Sequence, residues 1–443
     1  MYRVVRRTGD IFGDEPHVCE FVCDTSDDVV TLPTSVKEGT GGKSKYDNQK
    51  CSAGSSATIA TSSGSNSYIL NNSDEWIAQS SGGSSGESIG GIYPLGEDGM
   101  PYGDVIIPEG VKSISSISGA NDRKSCFFAN VNVNTVKIPS SMEILGDYGF
   151  SYSSLTDVIF GKNSNVTEIR TNCFYECNNL KSISVPEKVS YIGRYAFYGN
   201  DSLEHISFKS DLTMDANAFA SCSKLSIINW GNGRVIIGDN SFYKCVSLSN
   251  LVISANVVSL GNQYTFADCT ALTKVIFEEG SPITALPSNA FYGCSSLNEI
   301  VLPKNLRTIG NNCFERCSLS TIVIPSGVTT IGRSAFYSCK KLTSITLPNT
   351  ITSMDITPAS SYNTFSECTA LETVNLEENF NCSINLHYTS VLTNAAEMLT
   401  KLKDLTGETA KTITFAKAVY DTLTADELAV ATNKNWNVVS YGS

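Results

Sequence analysis

The chain has 443 residues, 41% of them hydrophobic and 17% charged, with 33 glycines and a net charge of −12. At roughly 150 residues per domain this is two or three domains or one long repeat array, and low charge with abundant Ser, Asn and Thr describes a folded β-type chain. Excess acid opposes nonspecific attachment to nucleic-acid phosphates or anionic lipid, so nucleic acid is not an expected partner.

The first residues, MYRVVRRTGDIFGDE, are basic but lead into no apolar run and no small-residue cleavage site, so no secretory leader is read there. No apolar run of about 18 residues occurs anywhere, so no membrane span is expected. Residues 1–79 form a small β-rich module. Thr25 or Ser26 caps a short helix ended by Pro33, and ATIATSSGSNSYILNNSDEWI makes a hairpin anchored by Trp76. The pattern FVCDTSDDVVTLPTSVKEGT followed by SYILNNSDEWI resembles N-terminal modules of bacteriophage structural proteins, those of head fibres and tail adhesins, and the resemblance implies docking on a virion. Residues 80–100, with SSGGSSGESIGG at their start, have the composition of a flexible Gly/Ser linker.

Residues 101–388 repeat themselves. Phe127, Phe150, Phe174, Phe197, Phe219, Phe242, Phe266, Phe291, Phe314, Phe336 and Phe365 follow one another at spacings of 22 to 25 residues, with a last interval of 29. Three residues after the Phe stands Cys177, Cys222, Cys245, Cys269, Cys294, Cys317, Cys339 or Cys368, and six after it a Leu in most units, such as Leu180 or Leu297. A strand with alternating apolar residues follows, Ile183 and Val185 or Ile300 and Leu302, and then a second apolar pair such as Ile192-Gly193 or Ile309-Gly310. No unit buries its apolar face alone, so the reading is a mainly β solenoid of about eleven turns, each stabilised by stacking on its neighbours.

After the array, residues 389–443 read as an α/β cap. Leu392, Ala395, Ala396, Leu399 and Leu402 line one helical face that Gly407 ends; strand KTITF, helix TADELAVATNK and strand WNVVS follow. A solenoid needs such a polar-faced lid over its exposed terminal core.

The repeat pattern, seen as AFYSCKKLTSITLPNTI at residues 335–351, resembles the BspA-type (Treponema-like) leucine-rich repeat over about two thirds of the chain. Asn130, Ser153 and Asn200 depart from it by replacing the repeat Cys, and TPASSYN near Pro358 lengthens the last unit. The resemblance implies a leucine-rich-repeat fold and an interaction surface, since members of this family act chiefly as surface adhesins and recognition proteins. The cap wording, LKDLTGETAKTITF with ATNKNW, resembles terminal caps of such proteins in phages and gut bacteria.

Little in the chain supports chemistry. One Cys per turn at a fixed inward position reads as a ladder of buried, reduced, unmetallated thiols, although the Cys-x3-Cys pairs Cys173/Cys177 and Cys313/Cys317 leave a disulfide open. His17, Cys19, Cys23 and Cys51 have no standard zinc spacing. The segment GTGGKS at residues 39–44 lacks the first glycine of a phosphate-binding loop, and Gly82-x-Ser84-x-Gly86 lies in linker composition rather than a strand-to-helix turn. His17, His205 and His387 lie far apart in sequence, with His205 read as solvated, and no nucleophile, base and acid set stands out. The expected protein is non-enzymatic and without cofactor.

One surface is singled out. Ten residues after each Phe a strand side chain points away from the core, because its neighbours at nine and eleven point in. That position is Ser184, Ser207, Asn229, Val252, Ile276, Val301, Thr346 and Asn375 from Phe174 onward, with Val323 nine after Phe314 in a unit one residue shorter, so four successive turns are apolar. Asn250, Lys274, Glu299 and Thr321, two residues earlier, give the stripe a polar rim. β-branched residues suit strands in any case, but a contiguous exposed apolar stripe with a polar rim also marks contact sites. The expectation is a phage virion protein that contacts other virion proteins through residues 1–79 and a host-surface protein or glycan through the repeats, with homo-oligomerisation left open. The alternative is an exported cell-surface adhesin of a gut bacterium or protist.

Overall fold

The computed structural model describes residues 132–356 and 362–442, and nearer the N-terminus residues 2–5, 18–23, 56–61, 64–70, 76–79, 88–89, 102–107 and 111–116. The helix expected at Thr25 or Ser26, Phe127, Asn130 and most of the insertion near Pro358 lie outside them. The chain divides into two compact units, Met1–Gly233 and Arg234–Ser443.

Each unit is a stack of turns with parallel strands on two sides and a Phe-bearing loop between them. In the first unit one side carries the parallel ladders Tyr102–Ile106, Asn132–Ile138, Asp157–Phe160 and Ser182–Ser184, His205–Ser207, Ile227–Asn229. The other side runs through Val111–Ser116, Ile144–Leu145, Glu168–Ile169, Tyr191–Ile192 and Leu212–Met214. In the second unit the first side is Asn250–Ile253, Lys274–Phe277, Glu299–Val301, then Thr321–Val323, Ser344–Leu347, Thr373–Leu376. Its other side pairs Val235–Ile237 with Val257–Leu260 and stacks Ala285–Leu286, Thr308–Ile309, Thr330–Ile331 and Ser353–Met354. Turns stack this closely only where the Ile-Gly corner is bare: a Cβ on Gly310 would sit 2.6 Å from the Ser288 amide nitrogen of the preceding turn.

The core is the predicted ladder. Ten of the repeat phenylalanines, Phe150 to Phe365, are fully buried. Their rings lie face to face with offset, centroids 4.9 to 5.2 Å apart from Phe150 to Phe219 and 5.4 to 5.8 Å apart from Phe242 to Phe365. A short Phe loop reaches the axis because residues two before and two after the Phe adopt the left-handed region, as Asn172 and Glu176 (φ 54° and 51°) or Asn312 and Arg316 (φ 55° and 61°) do. Alternation of right- and left-handed residues turns every second N–H toward the following turn. Phe174 N donates to Ala196 O at 2.7 Å and Phe291 N to Cys313 O at 2.9 Å. The last such rung has no further turn to bond, and the Asn363 side chain accepts from Phe365 N at 3.0 Å instead.

Both ends are closed by pairing of another kind. The expected hairpin is Ser56–Thr61 with Gly64–Leu70, joined by Trp76–Gln79 and, within the segment read as a linker, by the short strand Ser88–Ile89. Val18–Cys23 pairs antiparallel with Val111–Ser116, which occupies the edge that parallel stacking leaves open. At the other end Asn394 brackets the last strand, its Oδ1 accepting from Val374 N at 3.2 Å and its Nδ2 donating to Val374 O at 3.0 Å. The cap is a parallel sheet of Ile384–Leu386, Lys411–Ala416 and Trp436–Tyr441 with helices Ala395–Thr400, Lys417–Tyr420 and Ala425–Thr432. Its first helix stops at Lys401 rather than running to Gly407, because Phe380 N donates to Lys401 O and Phe380 O accepts from Lys403 N, both at 3.0 Å, drawing the chain out of the helix. The last helix starts on a capping box between Thr424 and Glu427.

Candidate binding surface

The strand side of the second unit holds every residue of the predicted stripe. Val252 pairs with Ile276 and Ile276 with Val301, while Asn250, Lys274 and Glu299 pair in the same register two residues earlier. At roughly 4.8 Å between strands the three apolar residues span about 10 Å. Val323 and Thr321 belong to the next ladder, whose following rungs at that position are Thr346 and Asn375. The stripe is therefore three registered side chains and a fourth on a separate ladder, a division that follows from the ladders and not from the repeat spacing. Val252 and Val301 are each 47% exposed and Val323 69%, whereas Ile276 between two neighbours is half-buried. Leu251, Ile253, Val275 and Phe277 point inward, fixing which residues face out. On the rim Lys274 Nζ meets Glu299 Oε1 at 2.6 Å, both side chains being well exposed, so the pair adds little stability and leaves Asn250 and Thr321 as neutral polar neighbours.

The cysteines do more than fill space. Cys177, Cys269, Cys294, Cys317, Cys339 and Cys368 each donate a thiol hydrogen to the carbonyl of the preceding turn's Phe at 3.0 to 3.3 Å. Asn200, one of the departures from the repeat, does the same work: its Nδ2 donates to Phe174 O at 2.7 Å. All of these thiols are buried and outside any disulfide, as are Cys173 and Cys313. Burial pushes Cys177, Cys222, Cys269 and Cys368 up to about 12, so they stay protonated. A thiol held protonated in this way is a poor nucleophile at neutral pH.

Among the described residues no group of three or more His, Cys, Asp or Glu is placed to hold a metal ion. The side chains of His17, Cys19, Cys23 and Cys51, and the segments at 39–44 and 82–86, lie outside the described residues. His205 is exposed beside Glu204 at 3.9 Å. His387 is buried in the cap, Nδ1 against Asn385 Oδ1 at 2.7 Å and Asn363 Nδ2 at 3.2 Å, and burial pushes its pKa down. No helix among the described residues is long and apolar enough to cross a membrane.

A feature that the stripe argument missed runs along the Phe loops. Tyrosines one or two residues from the core Phe form partly exposed rows: Tyr152, Tyr175 and Tyr198 in the first unit, with centroids 5.2 and 5.0 Å apart, and Tyr243, Tyr264 and Tyr292 in the second, 6.5 and 6.4 Å apart. The recurring Phe-Tyr dipeptide, as at 174–175 and 291–292, is the signal that points to it.

Stacked parallel turns, a one-residue-wide Phe core and an outward-facing strand ladder define a leucine-rich-repeat solenoid. The BspA type leucine rich repeat model matches residues 103–226, 212–283 and 284–397 in six copies, and the chain belongs to that family. The match starts at residue 103, so the phage-like resemblance of residues 1–79 gains no support from it. No curated protein matches the chain. Among solved structures it is similar to a leucine-rich repeat protein from Bacteroides ovatus, at 19% identity over 77% of this chain and 86% of that one with a TM-score of 0.45. It is also similar to the pneumococcal vaccine antigen PcpA, at 17% identity over 89% and 100% with a TM-score of 0.40. A leucine rich cell surface protein from Faecalibacterium prausnitzii matches at 19% identity over 70% and 93%, with a TM-score of 0.32.

Proposed function

We propose that this is a non-enzymatic adhesin-type protein, displayed at a cell surface, whose strand side in the second unit binds a protein or glycan on another surface. The carrying observation is the registered, outward-facing row Val252, Ile276 and Val301 with its rim of Asn250, Lys274 and Glu299. An apolar centre inside a polar rim is the usual layout of a contact site. Membership of the BspA-type family supports the reading, since the resemblance stated above implies surface recognition. A virion location draws on the phage-like wording of residues 1–79, which the family match does not reach, and on cap wording shared by phages and gut bacteria, so the cell-surface reading takes precedence.

The test is the double variant Ile276→Ser, Val301→Ser in the full-length protein. Fluorescently labelled protein is measured for adhesion to a panel of intact bacterial and epithelial cells. Loss of adhesion with thermal unfolding nearly unchanged is the expected result. Adhesion that survives in the folded double variant removes the stripe from the binding site.

A further inference from the structure

The tyrosine row of the second unit contains its own guest. Arg316 lies over the Tyr292 ring, its guanidinium carbon 5.5 Å from the centroid, and its Nη1 donates to the Tyr292 hydroxyl at 2.7 Å. Behind it stands the carboxylate of Glu315, 3.6 Å from the Arg316 Nε. The ring belongs to the turn of Gly293, and a Cβ on that glycine would collide with the Asp268 carboxylate of the turn before. Gly293, at φ 69°, thus leaves the acid room to lie beside the ring. Tyr243 is likewise covered by Lys244 at 5.1 Å, and Tyr362 by Arg333 at 5.8 Å.

The first unit repeats the arrangement up to the cation. Counting from the core Phe, Tyr198 corresponds to Tyr292, Gly199 to Gly293 and Glu176 to Asp268. Gly199 has the same φ of 69°, and a Cβ there would lie 2.9 Å from Glu176 Cγ, so the acid occupies the same place over the glycine. The residue corresponding to Arg316 is Ser221, and the one corresponding to Glu315 is the buried Ala220. Among the described residues no guanidinium or ammonium covers Tyr198, whose ring contacts are Tyr175 at 5.0 Å and Tyr195 at 5.6 Å. Glu176 forms no salt bridge among the described residues; its carboxylate accepts a hydrogen bond from the Tyr175 hydroxyl. Arg194 lies over Tyr195 at 5.0 Å.

We infer that the shelf of Tyr198, Gly199 and Glu176 is a binding site for an arginine side chain of a protein partner. The second unit shows a guanidinium seated on the tyrosine face, with Glu315 of its own turn as the paired carboxylate; the first unit has Ala220 in place of that acid, so Glu176, the acid under the glycine, is the carboxylate it offers, and the position of the guanidinium is left to a ligand. A cation over an aromatic face gains electrostatic attraction from the ring, and the nearby carboxylate adds to it. The net charge of −12 favours approach of a basic segment. This site is separate from the strand stripe and stands or falls independently of it.

The experiment measures binding of a labelled oligoarginine peptide to the full-length protein by fluorescence anisotropy, with the matching oligocitrulline peptide as the uncharged control. Ser221→Arg supplies the missing guanidinium from within; Ser221 has φ 60° and Arg316 φ 61°, so the backbone accepts the change. Ser221→Arg and Glu176→Gln should each weaken oligoarginine binding about tenfold. Asn229→Arg, which changes net charge as Ser221→Arg does but lies on a strand of the repeat sheet, should change it less than about twofold. Arg316→Ala should add a second binding equivalent. Equal affinities for the Ser221→Arg and Asn229→Arg proteins, equal binding of oligocitrulline, or no saturable binding overturns the inference. Should Ser221→Arg fail to fold, Glu176→Gln against Asn229→Arg decides it.

Discussion

Truncating Phe291 to alanine is the most direct test of how the array is held together. The ring is fully buried and lies between Phe266 at 5.8 Å and Phe314 at 5.7 Å, nearly parallel to both. Its own backbone ties two turns, Phe291 N donating to Cys313 O at 2.9 Å and Phe291 O accepting from the Cys317 thiol at 3.2 Å. Loss of a buried Phe side chain costs about 3–5 kcal/mol, and two broken ring pairs, each worth about 0.5–1.5 kcal/mol, place this site at the upper end of that range. Each repeat touches only its neighbours, so the damage should be local. Urea unfolding followed by circular dichroism measures the loss, and hydrogen exchange should rise most at the amides of the Phe266 and Phe314 loops. A change below about 1 kcal/mol, the size of a surface substitution, would refute the stacked-ring account of the core.

The repeat thiols Cys177, Cys222, Cys245, Cys269, Cys294, Cys317, Cys339 and Cys368 should resist a thiol reagent in the native protein and react on denaturation; rapid native labelling of most of them would contradict their burial. Because the folded thiol pKa of Cys177, Cys222, Cys269 and Cys368 is raised from 9.0 to about 12, their contribution to stability is complete below pH 9 and lost as pH rises toward 12. Each contributes a slope of about 1.4 kcal/mol per pH unit there, and a flat alkaline stability profile would show that the thiols ionise in place. Cys339→Ala removes the donor to Phe314 O and should cost about 1–2 kcal/mol in urea unfolding, while Cys339→Ser retains a donor and should recover at least half of the loss. A serine variant less stable than the alanine variant would mean that the sulfur serves only as apolar filling.

Periodicity alone determined the solenoid. Phe, the Cys three residues on, the Leu six on and the Ile-Gly pair recur because each must meet its own copy one turn away, and burial repeats with the chain. The outward direction of Val252, Ile276 and Val301 was equally legible, since alternation in a strand assigns faces without reference to anything distant. What repeat spacing could not carry is which neighbour each polar group meets. The left-handed residues on either side of each Phe are Asn, Tyr, Ser, Glu, Lys, Asp, Arg or Gly, a set with no common side-chain property, because the hydrogen bonds of the adjacent turn impose the conformation. The cysteines read as apolar filling and are donors, a role visible only when Asn200 is seen bonding the same carbonyl. The break between Val301 and Val323, and the end of the cap helix at Lys401, depend on the register between turns that the one-dimensional pattern leaves unspecified. The contrast between Ser221 and Arg316 likewise carries meaning only once stacking has placed each beside a tyrosine of the turn before it.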